Sequence, residues 1–238
     1  MFELNIQKNW IDALYARSSV RQYTSAPDKA QLDKLGETCR KLSWQGVKIR
    51  MFKGPGLKSQ IKGTDVYAVI IAKRGTPMEV EGFMGEALVL EATAMGLGTC
   101  WLGAGFYPDI INRNVDLQTD EAVHCVISIG KANLPAFAPK RKELEKVCGM
   151  NEDQLAQLGA WQKEAVLAAR LAPSAINQQP WKIAADKTSV SILETTVLYK
   201  KYAPLDRGIC MLHAAVGAAK AGRTAIWKKV DGGYAMKA

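Results

Sequence analysis

Three stretches of this chain set polar and charged side chains at spacings that could do chemistry. LAPSAINQQPW at 171–181 brackets a polar run between Pro173 and Pro180; ARSSVR at 16–21 sets two arginines four residues apart; PKRK at 139–142 concentrates cations. The prolines fix the backbone, and Ser174, Asn177, Gln178 and Gln179 supply hydroxyl and amide groups suited to reading a flat polar edge. The same residues would also serve as an N-capping turn before a new element. The basic run reads either as a solvated loop or as part of a site for a phosphate-bearing small ligand.

Composition narrows the classes. The chain has 238 residues, 48% hydrophobic and 23% charged, which are ordinary globular values consistent with one or two domains. The opening MFELNIQKNW lacks the pattern of a signal peptide, and no apolar run approaches the roughly 18 residues of a membrane span. A soluble, cytoplasmic protein with no membrane partner is expected. Five cysteines without a CxxC pair indicate neither a disulfide framework nor a metal site, so buried, reduced thiols are expected. The net charge of +9 favours anionic partners, but neither zinc-finger spacing nor an aromatic RNA-binding signature accompanies it. No nucleic-acid partner is expected.

The elements that must hold these residues follow from periodicity. Ile6, Trp10 and Leu14 predict a first helix ending near Tyr15, and Ser25, Pro27 and Asp28 predict the cap and first turn of a second, with Leu32, Leu35 and Leu42 inward. VKIRMF (47–52), TDVYAVIIA (64–72) and VHCVISIG (123–130) read as strands, the second of them central. A mostly buried helix runs from Glu81 to Met95 and stops at Gly96 and Gly98. The second half repeats this in shortened form: a helix through WQKEAVLAARLA, strands WKIAAD and SVSILE, then an apolar helix through Leu212, Ala215, Val216 and Ala219. Gly82, Gly96 and Trp101 match Gly208, Gly222 and Trp227 at one offset of 126 (208−82, 222−96, 227−101), which suggests an internal duplication. The halves are drawn at 1–147 and 148–238 and expected to pack as one unit. The tryptophans at repeat positions read as core, and His124 and His213 as structural.

ARSSVR (16–21), LAPSAINQQPW (171–181), EATAMGLGTCWLGAGF (91–106) and APKRK (138–142) together resemble the FMN-dependent nitroreductase family. The resemblance implies an α+β nitroreductase-like fold. It departs from the family in order: the APSxxN segment ordinarily follows the first motif by a few tens of residues, and here it comes about 150 later, while CRKLSWQGVKI (39–49) stands in its usual place. Family members are typically homodimers with a flavin held by segments of both subunits. The order here resembles duplicated members in which one polypeptide mimics the dimer, so a monomer acting as a pseudo-dimer is expected.

The resemblance also implies roles. Arg17, Ser19, Lys140 and Lys142 match the phosphate-binding positions, with Arg141 a neighbour whose register the motif leaves open and Ser18 a further cofactor-binding residue of the same segment, and Arg21 matches the cation at the flavin's pyrimidine edge. Leu102, Gly103 and Ala104 follow the GLG turn, where a backbone amide of Gly103 or Ala104 would face flavin N5. Pro173, Ser174, Ala175 and Asn177 would wall the ring and ribityl chain, with Gln179 supporting them. No side chain is nominated as acid or base, since the flavin carries the hydride. The implied activity is NAD(P)H-driven, ping-pong reduction of nitroaromatic or quinone-like acceptors, with FMN as cofactor. The alternatives are dehalogenation or flavin fragmentation on the same fold, a non-catalytic flavin-binding protein, and a basic nucleic-acid binder.

Overall fold

The computed structural model describes residues 3–44, 46–133 and 140–237. Helix α1 (Asn9–Ala16) starts three residues after Ile6 and buries Trp10, Ala13 and Leu14. The chain divides into a central unit, Ala16–Ala138, and a composite unit joining Met1–Tyr15 to Pro139–Ala238. These limits follow packing, whereas the division at 147/148 follows the sequence repeat. They put Lys140–Lys142 in the same unit as LAPSAINQQPW.

In the central unit, α2 (Lys29–Leu42) begins at Asp28. Asp28 accepts from the Gln31 amide at 3.0 Å, and Gln31 Oε1 accepts from the Asp28 amide at 3.0 Å, a reciprocal capping box. The expected Ser25 cap and Pro27 therefore lie before the helix, because Asp28 has the partner at N3 that Ser25 lacks. Leu35, Cys39 and Leu42 form the buried stripe. Strands β1 (Val47–Lys53) and β2 (Val66–Lys73) are followed by α3 (Met78–Ala94), β3 (Gly98–Leu102), α4 (Pro108–Asn114) and β4 (Glu121–Gly130). The antiparallel sheet runs β1-β2-β4-β3, and β2 is buried at every position but its last, as its β-branched composition predicts. Pairing skips His124 between Ile70 and Ile71, so His124 is an extra residue in β4. This bulge sends its Nδ1 to the fully buried Glu81 at 2.9 Å.

The composite unit holds two five-residue helices, α5 (Leu144–Cys148) and α6 (Glu152–Ala156), then α7 (Ala160–Arg170), β5 (Trp181–Ala185), β6 (Val190–Glu194), α8 (Ala203–Lys220), β7 (Ile226–Val230) and β8 (Gly233–Lys237). Its antiparallel sheet runs β5-β6-β8-β7. Helices α7 and α8 approach closely at Gly217, where a Cβ would lie 2.3 Å from the Glu164 carbonyl oxygen. The five cysteines are buried and form no disulfide among the described residues. Among the described residues no helix is long and apolar enough to cross a membrane.

Candidate functional site

In the central unit the backbone of ARSSVR adds to the edge of β3. Ser19 bridges Thr99 in parallel, and the Val20 amide donates to the Thr99 carbonyl at 2.8 Å. Glycine permits the approach: a Cβ on Gly98 would stand 2.9 Å from Val20 Cγ2. The two expected stops of α3 thus separate. Gly96, at φ 76°, ends the helix, and Gly98 admits the ARSSVR segment.

This pairing sinks Arg17 and Ser18 into the unit, at 7% and 5% exposure, and leaves Arg21 exposed. Arg17 Nη2 lies 3.4 Å from Ser19 Oγ and its Nε 3.9 Å from Glu86 Oε1, while Trp101 Nε1 donates to Glu86 Oε2 at 2.7 Å. Neither Arg17 Nε nor Ser18 Oγ has a hydrogen-bond partner among the described residues. Buried polar atoms are ordinarily satisfied, so these two mark a place for an acceptor such as a phosphate. Leu102 is buried, Gly103 half-buried and Ala104 exposed just beyond the strand.

In the composite unit, residues 140–142 and 171–179 form one hydrogen-bonded cluster; Ala138 and Pro139 of the basic motif lie outside the described residues. Arg141 donates through Nη1 to Asn177 Oδ1 at 2.8 Å and through Nε to the Leu171 carbonyl at 3.2 Å. Asn177 Nδ2 donates to the Lys140 carbonyl at 3.0 Å, so its amide is engaged at both ends by the basic run. Lys142 Nζ donates to the carbonyls of Gln178 and Gln179, at 2.7 and 3.2 Å. Buried Gln179 accepts from the Lys142 amide at 2.9 Å and donates to the Asn177 carbonyl at 3.1 Å. Lys140 pairs with Glu143 at 3.0 Å, and both are largely in water.

The loop is strained. Ile176, Asn177 and Gln179 have φ of 49°, 56° and 51°, a region that costs a non-glycine residue about 1–2 kcal/mol. It is held from its own unit. Ser174 Oγ accepts from the Gln179 amide at 2.8 Å, and the Asp206 carboxylate accepts from the Ala175 amide at 3.0 and 3.1 Å. Gln178 and Tyr199 exchange side-chain-to-backbone bonds at 2.9 and 3.0 Å. Ser174 precedes a 3-10 turn (Ala175–Asn177) without capping it; Asp206 takes the amide instead. Burial pushes the Asp206 carboxyl up to about 7, against the Ala175 hydrogen bond and the neighbouring Arg207, which both lower it. Sequence reading nominated neither Asp206 nor Glu86, both of which are buried acids on the long helices.

Comparisons with known proteins agree with this fold. A family model described as "Putative TM nitroreductase" matches residues 9–218, and the chain belongs to that nitroreductase family. A protein of Thermotoga maritima described as "a putative nitroreductase", 24% identical, aligns over 100% of this chain and 97% of its own with a TM-score of 0.71, and so shares the fold. An FMN-dependent nitroreductase of Clostridium difficile is 21% identical over 55% of this chain and 91% of its own, with a TM-score of 0.44. A nitroreductase with bound FMN from Desulfitobacterium hafniense is 14% identical over 60% and 98%, with a TM-score of 0.48. No curated protein matches the chain.

Proposed function

We propose that the protein is an FMN-dependent oxidoreductase that takes electrons from NAD(P)H and passes them to a nitroaromatic or quinone-like acceptor, the two substrates using one site in turn. The observation that carries this reading is the ARSSVR segment bridged to β3: a buried guanidinium and an unpartnered buried hydroxyl, set beside a glycine turn, suit a phosphate monoester. Arg17, Ser18 and Ser19, with Lys140, would hold the phosphate. Arg141 and Lys142 would act mainly by shaping the 171–179 loop, to which their side chains donate. FMN, when bound, supplies two-electron hydride chemistry.

The chain's own residues set the conditions for that chemistry. Exposed Arg21 offers a cation to the electron-rich edge of a reduced ring, favouring the reduced form. The backbone at Gly103 and Ala104 offers amides, and Pro173, Ser174 and Ala175 present a rigid wall because Asp206 and Gln179 pin them. Asn177 would support this wall through Arg141. The shared strand order of the two sheets and the repeat at offset 126 support an internal duplication, and with it a monomer carrying one FMN. Heat-released cofactor from the purified protein is expected to run as FMN, one per chain; FAD, two FMN, or no flavin after reconstitution would overturn the reading.

A further inference from the structure

In the central unit, edge strand β1 and the chain that follows α4 line a cavity of about 280 Å³. We infer that this cavity is a binding site for a small zwitterion, an α-amino acid with an apolar side chain. The inference does not rest on the function proposed above.

Two pairs of opposite charges line the cavity, and they differ. Lys48 Nζ meets Glu121 Oε1 at 2.5 Å, and the Glu121 side chain is only 2% exposed, so this pair neutralises itself. Arg50 and Asp116 line the same space, yet neither forms a hydrogen bond or ion pair with the other or with anything else among the described residues. Opposite charges that face one space without joining suit a ligand carrying both signs, its carboxylate on the guanidinium and its ammonium on the Asp116 carboxylate. The Gln118 side-chain amide, also without a partner among the described residues, adds a donor and an acceptor.

The backbone of β1 supplies a further donor. The Lys73 amide donates to the Gly46 carbonyl and the Gly54 amide to the Asp65 carbonyl, at 2.8 and 2.9 Å. The even-numbered residues of β1 therefore bond β2, and the odd-numbered ones turn their peptide groups to the sheet's open edge. Two of those outward amides are taken: Val47 donates to the Trp44 carbonyl at 2.9 Å, and Ile49 to Ser43 Oγ at 3.1 Å. The Met51 amide, beside Arg50 and on the cavity, has no such partner among the described residues. A guanidinium next to an edge N–H suits a carboxylate. Phe52 lines an apolar side with Ile71 and Val115, which are buried. The volume falls just below the roughly 300–1,000 Å³ of pockets that take drug-sized ligands, which fits a compound of amino-acid size. β1 and β3 are opposite edges of the sheet, about 14 Å apart at three inter-strand spacings, so a ligand here leaves the ARSSVR segment open.

The test is calorimetric titration of the full chain with L-phenylalanine, 3-phenylpropionate and phenethylamine, which share one ring and carry both charges, the anion alone or the cation alone. L-phenylalanine is expected to bind with saturation, and each single-charge probe roughly fivefold more weakly, the scale of exposed ionic contacts. Arg50→Gln is expected to weaken L-phenylalanine and 3-phenylpropionate by about that factor and leave phenethylamine unchanged. Asp116→Asn is expected to weaken L-phenylalanine and phenethylamine and leave 3-phenylpropionate unchanged. Both side chains are exposed, so neither variant is expected to disturb the fold. Equal binding of the three probes, unchanged affinities in both variants, or no saturation by L-phenylalanine up to ~10 mM would overturn the inference. The same pattern is expected whether or not flavin is bound. Competition between L-phenylalanine and FMN would place the amino acid at the ARSSVR segment, overturning the inference while leaving the proposed function standing.

Discussion

The two sheets have one strand order. Each unit places two antiparallel strands before a long helix and two after it, in the orders β1-β2-β4-β3 and β5-β6-β8-β7, and both long helices end the same way. Gly96 and Gly222 sit at φ 76° and 75°; the amides of Leu97 and Arg223 reach back to the carbonyls of Ala92 and Ala218 at 3.0 and 3.1 Å. Inside these matched frames the polar residues differ. Residues 80, 81, 86 and 91 are Val, Glu, Glu and Glu; their counterparts at 206, 207, 212 and 217 are Asp, Arg, Leu and Gly. The central helix uses Glu86 to engage Arg17 and Trp101 and Glu91 to engage Lys34 on α2. The composite helix uses Asp206 to pin a strained loop, Gly217 to pack against α7, and leaves Trp227 Nε1 without a partner among the described residues. The comparison teaches that topology and caps can be shared while buried carboxylates are reassigned to whichever segment each unit must hold.

The largest expected effect separates Asp206 from its apolar counterpart Val80. Its folded carboxyl is raised to about 7 by burial, so between the unfolded value of 3.8 and that pH the folded chain holds a proton the unfolded chain has released. The contribution of this group to stability must therefore fall as pH rises through this window and level off above it, by roughly 4 kcal/mol in total. Urea melts of the parent from pH 4 to 8 are expected to show this decline, and Asp206→Asn is expected to flatten it. A parent profile indifferent to Asp206→Asn would place the carboxyl in an environment like solvent and remove the contrast with Val80.

A somewhat smaller effect is expected from making the central helix resemble the composite one. Glu86→Leu copies the residue at 212, but it strands the Arg17 guanidinium and the Trp101 indole N–H inside the unit. Removing one partner of a buried pair costs about 3 kcal/mol, here at the lower end because the Arg17–Glu86 separation is 3.9 Å. FMN affinity is expected to fall along with stability if Arg17 holds the phosphate. A variant as stable as the parent would mean that Glu86 and Leu212 are interchangeable and that the polar divergence of the two helices has no energetic consequence.

The framework was legible where periodicity is long. α2, α3, α7 and α8 carry apolar spacing over three turns or more, β1, β2, β4 and β6 carry several β-branched residues each, and β5 sets Trp181 and Ile183 at alternate positions, so their types and approximate limits could be read. α5 and α6 are five residues each, too short for a period, and α6 rests on the Asn151–Gln154 capping box. β3 opens on Gly98, where the sequence places a helix stop, and the edge strand β7 ends in exposed Lys228, Lys229 and Val230, without the alternation that marks a half-buried strand. At the site, motif spacing located the segments. It could not show that Arg141 and Lys142 bond the 171–179 loop, or that Asp206 reaches Ala175 31 residues away, because such bonds depend on which face of a helix meets which backbone amide.

The smallest expected effect tests what the two units share. Gly96 and Gly222 occupy the left-handed region, and nothing lies within 4 Å of where a methyl group would stand, so alanine at either position meets backbone strain and no clash. Each replacement is expected to cost about 1 kcal/mol, the strain of φ > 0 without a steric contribution. The measurement that matters is the difference between Gly96→Ala and Gly222→Ala in parallel denaturation curves. Equal losses would show that the two caps are energetically equivalent, as their matching hydrogen bonds imply. A loss confined to one would mean that only one helix end is ordered enough in solution to feel the strain, and the structural likeness of the caps would then not extend to their energetics.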